Sequence, residues 1–130
     1  MHILIVDDDP LAAELSAAIL QAAGHRTLVA EQALDALEQL EANPDLDLVV
    51  SDMHMPLMNG LELFLEVRAH DYPCRFILLT GDAPGDLQAR QPRIDGCLLK
   101  DHSLEDSLPR LVADFAPKAG PKVASGGQPA

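Results

Sequence analysis

Five short apolar runs punctuate the chain, at residues 2–6, 27–30, 46–51, 75–80 and 96–100, and a stretch with helical spacing follows each one. That alternation restricts the folds open to the chain. The runs are near-continuous in apolar residues, as in Ile3-Leu4-Ile5-Val6 and Leu48-Val49-Val50. A strand covered on one face only would alternate apolar with polar; a continuous run marks a strand covered on both. Right-handed crossovers between such strands predict an open parallel sheet with helices on both faces, an α/β class.

The helical stretches carry their own punctuation. Asp9-Pro10 places an N-cap acid before a proline at the first helical position, and Gly24 is a good stop. Between them Leu11, Leu15, Ile19 and Leu20 keep helical spacing. Residues 31–40 predict a second helix with Ala33, Leu34, Leu37 and Leu40 inward, broken by Asn43-Pro44. Asn59-Gly60 turns into a third over 61–69, with Leu61, Phe64 and Leu65 facing in. A weak helix is expected around 85–90, ended by Gln91-Pro92. A last helix spans 103–115, with Leu104, Leu108, Leu111, Val112 and Phe115 on one side. Pro109 falls inside it and predicts a kink, or a start delayed to about Asp106 or Ser107. Residues 117–130 are rich in Pro, Gly and Ser and cannot build a core, so the chain divides into one domain, residues 1–116, and a flexible tail or linker.

Charge and cysteine content narrow the function. The formal net charge is −12, which repels nucleic-acid phosphates and anionic membranes, so direct nucleic-acid binding is not expected. No apolar run approaches the roughly 20 residues of a membrane-spanning helix, and MHILIVDDDP lacks the basic start of a secretion signal, so a cytoplasmic location is expected. Cys74 and Cys97 match no zinc spacing and read as small buried hydrophobes of a reducing compartment. Lysine is sparse: Lys100 is the sole lysine outside the tail, and it ends an apolar run.

In an open parallel sheet, ligands bind at the carboxyl ends of the strands. The groups standing there are Asp7, Asp8 and Asp9 after the first strand, Asp52 after the third, Thr80 after the fourth and Lys100 after the fifth. Each alone has an ordinary reading: a solvated turn, a helix cap, a loop start, a surface lysine. Together they do not, because the fold gathers them at one edge. Clustered carboxylates repel unless a cation offsets them. Magnesium suits the set, since it takes one or two carboxylates, water and phosphate oxygens. A carboxylate held beside it can attack a phosphoryl donor and form an acyl phosphate, with a hydroxyl and a lysine to receive the phosphoryl oxygens.

The motifs Ile5-Val6-Asp7-Asp8-Asp9, Ser51-Asp52-Met53-His54-Met55-Pro56, Met58-Asn59-Gly60, Leu79-Thr80 and Leu99-Lys100 resemble those of the CheY-like receiver domain of two-component response regulators. The resemblance runs from about Met1 to Phe115. It implies a flavodoxin-like doubly wound sheet of five strands in the order 2-1-3-4-5. It implies that Asp52 is the phosphoacceptor, that Asp8, Asp52 and the backbone carbonyl of His54 ligate Mg²⁺ directly, and that Asp7 acts through a metal-bound water. Thr80 would bond a phosphoryl oxygen and Lys100 would pair with the phosphoryl group. The implied donor is a histidine kinase or histidine phosphotransfer protein. The implied recipient of the signal is a downstream protein target, or the chain's own output domain if it is a fragment; a homodimer is a further option. Such a domain catalyses only its own phosphorylation and dephosphorylation.

The pattern is broken at two places. Cys97 stands where receivers carry Tyr or Phe, and Asp101 stands where proline follows the lysine. The first departure bears on output coupling. The second predicts a trans, reshaped loop in which Asp101 competes with the phosphoryl group for Lys100. Both lie on one side of the domain, together with Pro84, Gly85 and Pro92, and predict an atypical output face. Two other readings remain at this point: a pseudo-receiver working by protein contacts without phosphorylation, and a phosphatase of the haloacid dehalogenase type. The second needs a general acid two residues after the nucleophile, where His54 stands, and a cap domain for which the chain has no room.

Overall fold

In the computed structural model, residues 1–115 are described. Ten elements follow in strict alternation: β1 (His2–Val6), α1 (Pro10–Ala22), β2 (Arg26–Ala30), α2 (Ala33–Ala42), β3 (Leu48–Asp52), α3 (Gly60–Ala69), β4 (Arg75–Thr80), α4 (Pro84–Arg90), β5 (Gly96–Leu99) and α5 (Leu104–Phe115). The five strands are parallel and lie in the order β2-β1-β3-β4-β5. The order reverses after β1, which opens a crevice between β1 and β3 at their carboxyl ends.

Alternate side chains of each strand feed two cores. Leu4 and Val6 of β1, Val49 of β3, and Phe76 and Leu78 of β4 pack with α2, α3 and Leu87 of α4. Ile3 and Ile5, Leu48 and Val50, and Ile77 and Leu79 pack with Ala13, Ala17 and Leu20 of α1 and with Leu104, Leu108 and Val112 of α5. Both faces of the three central strands are therefore sealed, as their continuous apolar runs require.

The local signals act where the sequence places them. Asp9 caps α1 by accepting from the Leu11 amide at 3.0 Å. Asn59 and Glu62 form a reciprocal capping box at the start of α3. Gly24, after the α1 terminus, adopts a φ of +93°. No peptide bond among the described residues is cis, so the loop after Lys100 is trans as expected.

Several expectations need correction. Pro109 does not delay α5, which begins at Leu104; the Leu104 amide donates to Asp101 and the Ser107 amide to Ser103. An interior proline costs about 3 kcal/mol, but full burial of Leu104, Leu108 and Val112 returns roughly 1.5–3 kcal/mol each. Leu34 and Leu65, expected inward, are 60% and 44% exposed. The buried residues of α2 are Ala33, Ala36 and Leu40, and those of α3 are Gly60, Leu63, Phe64 and Val67. Strand three starts two residues later than expected, at Leu48, and ends one later, on Asp52 itself. The tail at 117–130 lies outside the described residues.

Candidate functional site

Strand register builds the site. Val6 is level with Ser51, so Asp7, the next residue, comes level with Asp52. Asp52 is level with Leu79, one short of Thr80, and Thr80 is level with Leu99, one short of Lys100. The functional groups thus rise as a staircase along the carboxyl edge, about 3.3 Å per step. Backbone bonds fix the steps: the Asp7 amide donates to Ala30 at 3.1 Å, the Met53 amide to Leu79 at 2.8 Å and the Lys100 amide to Thr80 at 2.7 Å.

Asp7, Asp8 and Asp52 each offer a carboxylate oxygen within 4.8 Å of the others. Asp7 and Asp52 are buried and Asp8 is exposed, so the cluster is a mouth with two walls inside the protein. Asp7 also accepts from the Asp9 amide at 2.9 Å, which fixes its carboxylate. Lys100 reaches across the edge and places Nζ 2.7 Å from Asp7 and 3.3 Å from Asp52. Burial pushes the Asp52 carboxyl above its ordinary range; the Lys100 charge pulls the other way and Asp7 adds to the rise. Burial works against the charge of Lys100, but its bonds to Asp7 and Asp52 win and hold its ammonium above the usual range. Two buried acids sharing one lysine leave net negative charge at the mouth. A hard divalent cation fits that donor set, because it takes carboxylate oxygens and tolerates an open side filled by water or phosphate.

Thr80 stands on the other side of Asp52. Its hydroxyl donates to the Asp82 carbonyl at 3.0 Å. Thr80, Met53, His54, Asp82 and Leu87 line part of a cavity of about 510 Å³ beside the end of β3. The backbone of His54 offsets a small part of the rise at Asp52, while its side chain lies exposed at the cavity wall.

The expected competition of Asp101 for Lys100 does not occur. The Asp101 carboxylate accepts from both the amide and the hydroxyl of Ser103, at 2.8 and 2.5 Å, and so opens α5. Cys97 is half-buried and packs against the α2–α4 side of the sheet. Gly60 contributes more than its sequence reading as a helix start conveyed. A Cβ there would fall 2.5 Å from the Asp52 carbonyl oxygen and 2.6 Å from Leu78 Cδ2. The Gly60 amide donates to Met53 at 2.9 Å, so a side chain at this point would displace the end of β3. The Asn-Gly pair was the signal that could have found it.

A doubly wound α/β domain with an acidic, lysine-bridged crevice at its topological switch point is thereby defined. Residues 3–111 match the response regulator receiver domain family. The chain is 33% identical over 118 residues to the sensor histidine kinase RcsC of Salmonella typhi, an alignment covering 89% of this chain and 12% of that protein. It is 31% identical over 122 residues to the transcriptional regulatory protein GlrR of Escherichia coli, covering 92% and 27%. It therefore spans between about an eighth and a quarter of the length of these relatives. Among solved structures, the response regulator TrrA of Thermotoga maritima, in complex with Mg(2+)-BeF, superposes with a TM-score of 0.79 at 30% identity, over 88% of this chain and 98% of that one. The chain belongs to the receiver domain family of response regulators, a family of signalling modules.

Proposed function

We propose that this receiver is an Mg²⁺-dependent phosphoacceptor, and that Asp52 takes a phosphoryl group from a phosphohistidine on a partner kinase or phosphotransfer protein. The observation that carries the reading is the convergence of three carboxylates within 4.8 Å, two of them, Asp7 and Asp52, bridged by the Nζ of Lys100. Asp8, Asp52 and the backbone carbonyl of His54 are the groups that would hold Mg²⁺, with Asp7 acting through water. Once bound, the ion would supply charge neutralisation and orientation for phosphoryl oxygens.

This chain's residues do the rest. β3 holds the Asp52 carboxylate at the crevice, and an oxygen of it attacks phosphorus. The P–N bond to the donor imidazole breaks, the imidazole keeps the electron pair, and an acyl phosphate forms on Asp52. Lys100 exchanges a carboxylate partner for a phosphoryl oxygen. The Thr80 hydroxyl leaves the Asp82 carbonyl for another phosphoryl oxygen. Positioning and electrostatics thus supply the catalysis. Signalling follows through protein contacts, in the cytoplasm, toward a downstream target or an attached output domain. Cys97, in place of an aromatic, makes the output face atypical; Cys97→Tyr is expected to change partner binding or the response to phosphorylation, and no change in either would sink that coupling.

The test of the acceptor is intact mass after incubation with a small acyl phosphate donor, with and without Mg²⁺, beside Asp52→Asn. The expected result is one added phosphoryl group that requires both Mg²⁺ and Asp52. Labelling that persists in Asp52→Asn would overturn the assignment.

A further inference from the structure

A second depression lies at the other edge of the sheet, between α2 and the end of α3. On α2, Leu34, Leu37, Glu38 and Glu41 stand at i, i+3, i+4 and i+7 and so share one face. With His70 and Tyr72 they line a cavity of about 380 Å³. Ala33, Ala36 and Leu40 bury the inner face of the helix, while Leu34 is left 60% exposed on this outer stripe. Both glutamates are exposed, and among the described residues neither has a basic side chain within ion-pair distance. The cavity sits at the amino ends of the strands, since α2 ends before β3 and Tyr72 precedes β4. The five residues of β3, about 16 Å of strand, separate that edge from the crevice.

The backbone sets the aromatic wall of this cavity. Asp71 takes the left-handed conformation, with φ +59°. Its amide donates to the Arg68 carbonyl at 3.1 Å and the Tyr72 amide to the Val67 carbonyl at 3.2 Å, a Schellman end that turns the chain back after α3. Arg68 Nη1 donates to the Tyr72 carbonyl at 3.0 Å. The Tyr72 ring stacks on His70, with centroids 5.9 Å apart and planes 9° from parallel. The ring is thus held before any ligand arrives, and little ordering remains to be done on binding.

We propose that this groove is a docking site for an arginine side chain carried on an apolar segment of a partner protein. Charge complementarity selects the cation. A body of net charge −12 draws basic partners toward it. Glu38 and Glu41, one helical turn apart, can bracket a single guanidinium between two carboxylates. Tyr72 offers a ring to the planar guanidinium, and Leu34 and Leu37 receive its methylene stem and apolar neighbours. The three features select arginine over lysine, whose ammonium has neither the plane nor the fork. They also disfavour a hydrated metal ion, which gains nothing from leucine and tyrosine. The contact is small, so the isolated anchor binds with a dissociation constant on the order of 1 mM. Because the groove and the crevice lie at opposite edges, docking does not depend on Asp52, and the inference does not rest on the phosphoacceptor reading.

Residue-resolved amide NMR on the full chain in Mg²⁺, titrated with the capped peptide Ala-Leu-Arg-Leu-Ala, tests the proposal. Shifts are expected to group on residues 34–41 and 70–72, and to saturate with the same dissociation constant in Asp52→Asn. Replacing the arginine by citrulline, or Glu38→Gln together with Glu41→Gln, is expected to weaken binding about fivefold or more, and added salt to weaken it as well. Tyr72→Leu is expected to weaken it about threefold, while Tyr72→Phe, which keeps the ring, binds as the wild type does. The amide spectrum of each variant checks that its fold is unchanged. No shifts at millimolar peptide, shifts centred on Asp7, Asp8 and Asp52, binding that Asp52→Asn abolishes, or equal affinity for the arginine, lysine and citrulline peptides overturns the proposal.

Discussion

Asp52→Asn is expected to make the metal-free protein more stable, although it removes the proposed working group. Lys100 Nζ lies 3.3 Å from Asp52, an attraction of about 5 kcal/mol at an effective dielectric of 20. Asp7, whose carboxylate oxygen lies within 4.8 Å, repels Asp52 by about 3.5 kcal/mol or more at the same screening. Asp8 is exposed and adds about 1 kcal/mol after solvent screening. Attraction and repulsion nearly cancel, and burial of the Asp52 charge decides the sign, in agreement with its raised titration. Asparagine keeps the shape and removes the charge, so a gain of about 1–2 kcal/mol is expected at pH 7 in chelator. The pH dependence has a definite sign. A carboxyl whose folded pKa is raised favours folding below its unfolded value of about 3.9, and that contribution is lost as pH rises through the folded pKa. The advantage of the variant therefore appears as pH rises through that window and vanishes in acid. Millimolar Mg²⁺ reverses the order, because the wild type keeps a ligand that the variant lacks. Urea unfolding followed by circular dichroism, in chelator and in Mg²⁺, measures all three. A variant less stable in chelator, or an equal Mg²⁺ response in both proteins, refutes the reasoning.

Three other substitutions probe the frame around the site. Gly60→Ala drives a methyl group into the Asp52 carbonyl and Leu78, so urea unfolding should show a loss of about 2–3 kcal/mol, and Mg²⁺ titration a weakened site. Pro109→Ala restores an amide inside α5 and should raise stability by about 1–2 kcal/mol in the same unfolding assay, leaving phosphoryl labelling unchanged. Asp101→Ala removes the acceptor for Ser103 and should speed hydrogen exchange at the first amides of α5; labelling of Asp52 should stay within about twofold, since Asp101 does not touch Lys100.

The sheet was legible because parallel strands sealed on two faces leave continuous apolar runs, and the site was legible because those runs end on Asp7, Asp52, Thr80 and Lys100. What failed was local reasoning that tertiary contacts outweigh. The Pro109 rule is a rule for an isolated helix, and the buried stripe of Leu104, Leu108 and Val112 overrides it. Leu34 and Leu65 keep helical spacing, but spacing alone does not say which flank of a broad apolar surface meets the sheet. Asp101 sits beside Lys100 in sequence, yet an amide two residues onward claims it. The bond from Lys100 to Asp7 leaves no trace in either neighbourhood, because strand register creates it.

That bond joins residues 93 positions apart. At a synthesis rate of roughly 5–20 residues per second, Lys100 leaves the ribosome's catalytic centre about 5–20 s after Asp7. From the synthesis of Asp52 until that of Lys100, both buried acids exist without their counter-ion. A nascent or truncated chain thus carries Asp52 in an unfinished frame, and the crevice gains its lysine only when the fifth strand closes the sheet. An assembled crevice is, for this chain, a certificate of completed folding.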